Sequence, residues 1–197
     1  MISIISKKLT NLSIAHGFAV EENRDVYIYG YEIALSVSMN VCVCLLISAF
    51  FSQLSEGIAF LLTFSILRRC AGGYHAKTHG GCIFAFSCLF TLSLLLLSIF
   101  KKNHRVLFGV LICVVAAIIL IALAPIDHEN KRISAKLYPA VRKKVRGLVA
   151  SAAVMNIIST IIFNSTISFS ISLSLASVCI SVIIATFIKY KTQKTGG

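Results

Sequence analysis

The chain has 197 residues, a net charge of +12 and 57% apolar residues, and apolar runs of about 20 residues recur along it, the length that crosses a bilayer. This excludes a soluble globular protein, and because the basic residues flank apolar runs, no soluble domain remains to organise them against nucleic acid. A disulfide framework is excluded as well: of the seven cysteines, Cys42, Cys44, Cys88, Cys113 and Cys179 lie inside apolar runs, where free cysteine packs as a small hydrophobe.

In chain order, Ile2, Ile5, Leu9 and Leu12 recur at helical spacing with Lys7 and Lys8 between them. That pattern predicts an amphipathic helix lying in the membrane interface within residues 1–25. The start lacks a compact apolar core followed by a small-residue cleavage site, so it is expected to be retained. Spans are expected at Glu32 to Phe51, Leu54 to Leu67, Cys82 to Phe100, Val106 to Ala124, Leu148 to Phe163 and Ile171 to Ile188. The fold class is therefore all-α: one membrane-embedded domain, residues 1–197, with about six transmembrane helices.

The second span is short and carries Glu56 near one end, which leaves a re-entrant half-helix as its alternative. A full crossing is preferred, because only that returns Arg68, Arg69 and Lys77 to the side of the N-terminus, as the positive-inside rule requires. A basic loop at 125–147 and the tail from Lys189 to Lys194 join them on the cytoplasmic side. The short turn with Lys101, Lys102 and Arg105 falls outside and runs against the rule. The serines of "SISLSLAS" from Ser170 onward suit helix packing through small residues.

One stretch departs from this apolar pattern. "RRCAGGYHAKTHGGC", residues 68–82, brings two histidines, two cysteines, cations and paired glycines to the edge of a span. A connecting loop with snorkelling cations is the plain reading. His, Thr and Cys beside paired glycines also supply a base, a candidate orienting hydroxyl in Thr78, a nucleophile and flexible backbone amides. On an unbroken helix His75 and Cys82 lie roughly 10.5 Å apart along the axis, too far for proton transfer, whereas His79 is three residues from Cys82 and adjacent to it. Spacing alone favours His79. Gly80 and Gly81 read as a loop that ends where the third span begins. Cys82 then lies in a first helical turn, where the positive end of the helix dipole favours thiolate, and a folded-back loop brings either histidine to it. Backbone amides around Gly80 to Cys82 are candidates to hold an oxyanion. Zinc is the rival chemistry, with His75, His79 and Cys82 as ligands, but HAKTH lacks the glutamate of the HExxH metalloprotease helix.

Arg68, Gly73, His75 and Cys82, set as R-x4-G-x-H-x6-C between two membrane segments, resemble the signature of the accessory gene regulator B family of membrane cysteine endopeptidases. Length, basic amphipathic start, spans and the later "APIDHENKRIS" loop extend the resemblance over most of the chain. The resemblance implies that His75 is the base and Cys82 the nucleophile, with Arg68 and Gly73 in support and no metal or cofactor. It carries over neither His79, Cys70 nor Cys88, and a third residue orienting His75 is left open, with Asp127 and Asn130 as candidates if the fold brings their loop close. It further implies a homodimer in the bacterial cytoplasmic membrane, with the catalytic loop at 68–82 on the cytoplasmic side. The substrate is then a short quorum-sensing propeptide with an amphipathic leader, a core and an acidic C-terminal tail. The tail leaves through an acyl-enzyme thioester, and a nucleophile inside the core closes a lactone or thiolactone ring. Lys131, Arg142, Lys143 and Lys144 are the expected contacts for the acidic tail, alongside anionic lipid headgroups. A non-enzymatic transporter or scaffold is the competing class. Intramembrane acids mark ion pathways, and only Glu56 and Glu32 qualify here, which favours the enzyme.

Overall fold

In the computed structural model, residues 2–73, 78–126, 134, 136–162 and 165–195 are described, without the side chains of His79, Lys102, Asn103 and residues 192–195. Seven α-helices account for nearly all of them: α1 Ile2–Ala15, α2 Arg24–Phe50, α3 Leu54–Ala71, α4 His79–Ile99, α5 Lys102–Leu123, α6 Tyr138–Ile162 and α7 Ser165–Thr195. No strand occurs among the described residues. Five helices, α2 and α4 to α7, are long and apolar enough to cross a bilayer.

The sixth long helix, α3, falls short of that apolar composition because Glu56 lies in its first turn and Arg68 and Arg69 in its last. It is nevertheless no half-helix. Its 18 residues span about 27 Å at the α-helical rise, and α7 accompanies it throughout. Ser170 Oγ donates to Glu56 O at 2.6 Å and Ser174 Oγ to Phe60 O at 3.2 Å, so the two helices run parallel in register. A helix with charged ends and a lean apolar middle is accommodated because protein covers it: Gly57, Phe60, Leu61, Leu67 and Ala71 are buried.

The central helix is α7, packed against α3, α5, α6 and α4. Its serines do what small hydroxylated residues do in a membrane bundle, letting backbones approach and bonding across helices. Ser170 and Ser174 reach α3. Toward α6, Asn156 Nδ2 donates to Ser168 O and to Ser172 Oγ, each at 2.7 Å, while Ser168 Oγ donates to Asn156 Oδ1 at 3.2 Å. Ser177 instead bonds back to Leu173 O at 2.8 Å within its own helix. The apolar core around α7 has two parts: one includes Leu67, Ala71, Leu120, Val145, Leu175 and Val182, the other Phe60, Phe86, Phe90, Leu94, Leu97 and Phe169.

The amphipathic start is a helix that docks on α2 through its polar side. Ser6 and Thr10 are buried there, and Ser13 Oγ and Tyr31 OH lie 2.6 Å apart. Ile4, Ile5 and Leu12 stay exposed, available to lipid. One bound that differs from the sequence reading is the start of α6. The segment 125–147 is not all loop, because α6 begins at Tyr138. Val145 and Val149 are buried in the core, whereas Lys143, Lys144 and Arg146 are exposed. This amphipathic spacing and the good helix propensity of Arg and Lys carry the helix through the basic run.

Connectivity sorts the charges. Among the described residues, Lys101, Lys102 and Arg105 lie at one end of the bundle. Every other described Lys and Arg lies at the opposite end, with α1, the close of α3 and the start of α4.

Candidate active site

The first turn of α4 is organised by Thr78. Its backbone is extended (φ −127°, ψ 147°), its side chain accepts the Gly81 N–H at 3.1 Å, and its carbonyl accepts the Cys82 N–H at 3.1 Å. The helix thus starts at His79, three residues before the expected boundary. An N-cap threonine offsets part of the poor propensity of Gly80 and Gly81, and both lie in the helix. Cys82 does lie in the N-terminal turn and is half-buried. Of the amides around Gly80 to Cys82, those of Gly81 and Cys82 are already bonded to Thr78.

Phenylalanines set the register between α3 and α4. The Phe60 and Phe90 rings have centroids 5.2 Å apart, and those of Phe64 and Phe86 are 4.5 Å apart. Each step of four along α3 matches a step of four back along α4. The next pair in that antiparallel seam is Arg68 and Cys82, and the cation and the thiol are close enough to interact electrostatically. Arg68 is half-buried whereas its neighbour Arg69 is exposed, which distinguishes the two arginines.

Beyond Arg68 the helix ends at two glycines with positive φ, Gly72 at 75° and Gly73 at 126°. The Arg68 guanidinium folds forward and donates through Nη1 to the Gly72 carbonyl. Gly73 is buried beneath it: a Cβ there would collide with the guanidinium and would lie 2.7 Å from Ser181 Oγ of α7. Glycine is required at this position both by the backbone angle, which L side chains rarely adopt, and by the space that Arg68 occupies. Two members of the R-x4-G-x-H-x6-C pattern, Arg68 and Gly73, are therefore in contact, and a third, Cys82, lies at the level of Arg68 on α4.

A second connection reaches this spot. Ile126 N donates to Ala71 O at 3.0 Å, and a Cβ on Gly72 would run into the Ile126 carbonyl. The segment that follows α5 thus begins against the close of α3. His75, Asp127, Asn130 and Lys131 lie outside the described residues. His79 opens α4 three residues before Cys82. Arg142, Lys143 and Lys144 ride on the first turns of α6, at the same end of the bundle as Cys82. Reasoning from sequence took Thr78 as a candidate orienting hydroxyl and missed it as a cap, although its place just ahead of a helical run is a cap signal; it also missed Ser181, which nothing local distinguishes from the other α7 serines.

A family model described as Accessory gene regulator B matches residues 2–190. The chain belongs to that family. It is also 26% identical over 162 residues to each of two Clostridium perfringens proteins whose names call them AgrB-like, one from strain 13 and one from strain SM101, covering 80% of this chain and 73% of each relative. No solved structure matches the chain significantly. Membership in the accessory gene regulator B family, with five apolar helices of membrane-crossing length, makes this a multi-pass membrane protein and supports a part in accessory gene regulator peptide processing.

Proposed function

We propose that this chain is a membrane cysteine endopeptidase that removes the C-terminal tail of a quorum-sensing propeptide and promotes cyclisation of the core. The observation that carries the reading is the α3–α4 seam. Its ring pairs put Arg68 and Cys82 at the same level of the two helices, at the two ends of the connection that contains His75, which supports the reading. His75 takes the thiol proton, Cys82 attacks the carbonyl at the core–tail junction, and His75 returns the proton to the departing amine. The core remains as a thioester on Cys82.

A nucleophile inside the core then attacks that thioester and closes the ring. Thioester exchange is nearly isoenergetic whereas hydrolysis is strongly downhill, so the acyl-enzyme must be kept from water. Most of the cations, at the Cys82 end of the bundle, favour a cytoplasmic orientation by the positive-inside rule and attract an acidic tail. A homodimer is carried over from the family resemblance, and crosslinking at low protein density in membranes tests it, a strictly monomeric active preparation removing it.

Cys82→Ala and Cys82→Ser test the nucleophile. Both are expected to insert into the membrane, since a small residue suits this turn, and to release no tail. Tail release by the alanine variant at the wild-type rate would refute the reading.

A further inference from the structure

Along the α3–α7 seam, Ser170 and Ser174 of α7 donate to carbonyls of α3. Ser181 lies two turns beyond Ser174, where α3 has ended, and it meets the turn instead: a Cβ on Gly73 would lie 2.7 Å from its Oγ. Among the described residues that hydroxyl makes no hydrogen bond. The Gly73 backbone is therefore wedged between the Arg68 guanidinium and Ser181, while Ile126 bonds to Ala71 two residues before it. The α7 wall has no room to retreat. Val178 and Val182, three residues before Ser181 and one after it, are fully buried in the core that holds Leu67 and Ala71 at the close of α3.

We propose that Ser181 is a positioning residue of the endopeptidase: its small side chain sets how closely the Gly73 backbone stands against α7, and so the point from which the connection to His75 departs. This rests on the endopeptidase reading and adds to it a residue from a third helix. The far end of that connection is set by α4, through the Thr78 cap and the phenylalanine register with α3. The near end is set at Gly73, by α3 and α7 together. A larger side chain at 181 has the Gly73 backbone and the Arg68 guanidinium in its path. Close-packed surroundings pass such an insertion on as a backbone shift. A general base has to stand within hydrogen-bond reach of the proton it takes, so a displacement of about 1 Å costs about 100-fold in the chemical step. Size is what matters at 181. The hydroxyl makes no bond, so alanine serves as well as serine.

The test compares Ser181→Ala, Ser181→Thr and Ser181→Val with Ser177→Val, the same change one turn earlier on α7 at a buried serine that bonds within its own helix. Rates are taken on the monodisperse fraction of each variant in detergent, and unfolding in mixed micelles gives its stability. The substrate is a short propeptide with an amphipathic start, a central Cys and an acidic tail, and tail release gives kcat and KM. Ser181→Ala is expected to stay within about threefold of wild type, and Ser181→Val to lose about 100-fold in kcat with KM within about twofold, Ser181→Thr falling between. Ser177→Val is expected to lose stability by overpacking while its folded fraction keeps kcat within about threefold. Equal kcat losses at 177 and 181 would reduce the effect to general loss of packing and overturn the proposal. Wild-type kcat in Ser181→Val, a loss confined to KM, or an alanine variant as slow as the valine one would overturn it too. Should Ser181→Val yield no folded protein, Ser181→Thr decides: a loss of about tenfold in kcat at unchanged KM supports the role, and wild-type kcat overturns it. If Cys82→Ala is inactive while Ser181→Val retains full kcat, only this inference fails; tail release by Cys82→Ala would remove the endopeptidase reading itself.

Discussion

Replacing Thr78 with alanine probes how the first turn of α4 holds the nucleophile. The turn is intrinsically weak, because Gly80 and Gly81 together cost about 2 kcal/mol relative to alanine in a helix. Against this, the bond from Gly81 N–H to Thr78 Oγ1 contributes about 1 kcal/mol, the usual value of an N-cap. Thr78→Ala removes it from a turn with little to spare, and 1 kcal/mol is about a fivefold change in a marginal local equilibrium. The variant is therefore expected to lose about 3-fold to 10-fold in kcat/KM for tail release, with faster amide exchange at Gly81 and Cys82. Thr78→Ser keeps the cap and should stay within about twofold of wild type. Gly80 offers a second handle, since a Cβ there meets nothing within 4 Å. Gly80→Ala should return about 1 kcal/mol of helix preference and restore much of the activity lost in Thr78→Ala. Wild-type activity and unchanged amide exchange in Thr78→Ala would refute the argument. A rise in kcat would show that the freed Gly81 amide serves the oxyanion better than it serves the cap.

His75→Ala is expected to be inactive while His79→Ala keeps substantial activity, measured by tail release; a chelator that inhibits the wild type would revive zinc chemistry instead. Reversing Lys143 and Lys144 to glutamate should raise KM for an acidic-tailed propeptide and leave kcat less affected. Added salt should do the same, since charges are screened over about 8 Å at physiological ionic strength; unchanged peptide affinity in neutral detergent would assign these lysines to lipid. Asn156→Ala removes three bonds between α6 and α7 and is expected to lower stability by about 2 kcal/mol, given roughly 0.6 kcal/mol for an average interhelical bond in a membrane. Unfolding in mixed micelles measures it, and an unchanged midpoint would show that water replaces the lost partners.

The helices were legible because apolar run length and helical periodicity are strong signals, and even the doubtful second span proved to be a full-length helix. What composition could not show is why α3 survives with charged ends. The answer lies more than a hundred residues away, in Ser170 and Ser174 of α7. Boundaries drifted where local signals conflict. Paired glycines suggested a loop at 80–81, yet the Thr78 cap starts the helix ahead of them, and the basic run at 142–146 looked like loop because charge was weighed above the burial of Val145 and Val149. At the site, the family resemblance pointed to Arg68, Gly73 and Cys82, but not to the reason for their spacing. Two turns of phenylalanine pairs carry the register from α3 to α4, and Gly73 must be small because a guanidinium rests on it. Ser181 was invisible, since proximity across α7 has no one-dimensional signature.

The most direct test of the central claim is to trap the covalent intermediate. A propeptide whose core nucleophile is replaced by alanine cannot close its ring, so the acyl group should accumulate on the enzyme. Intact-mass analysis is then expected to show the wild-type chain heavier by the leader and core, with the adduct mapped to Cys82 and removed by hydroxylamine. Tail release without any adduct on Cys82, or the same adduct on the Cys82→Ala variant, would contradict the account.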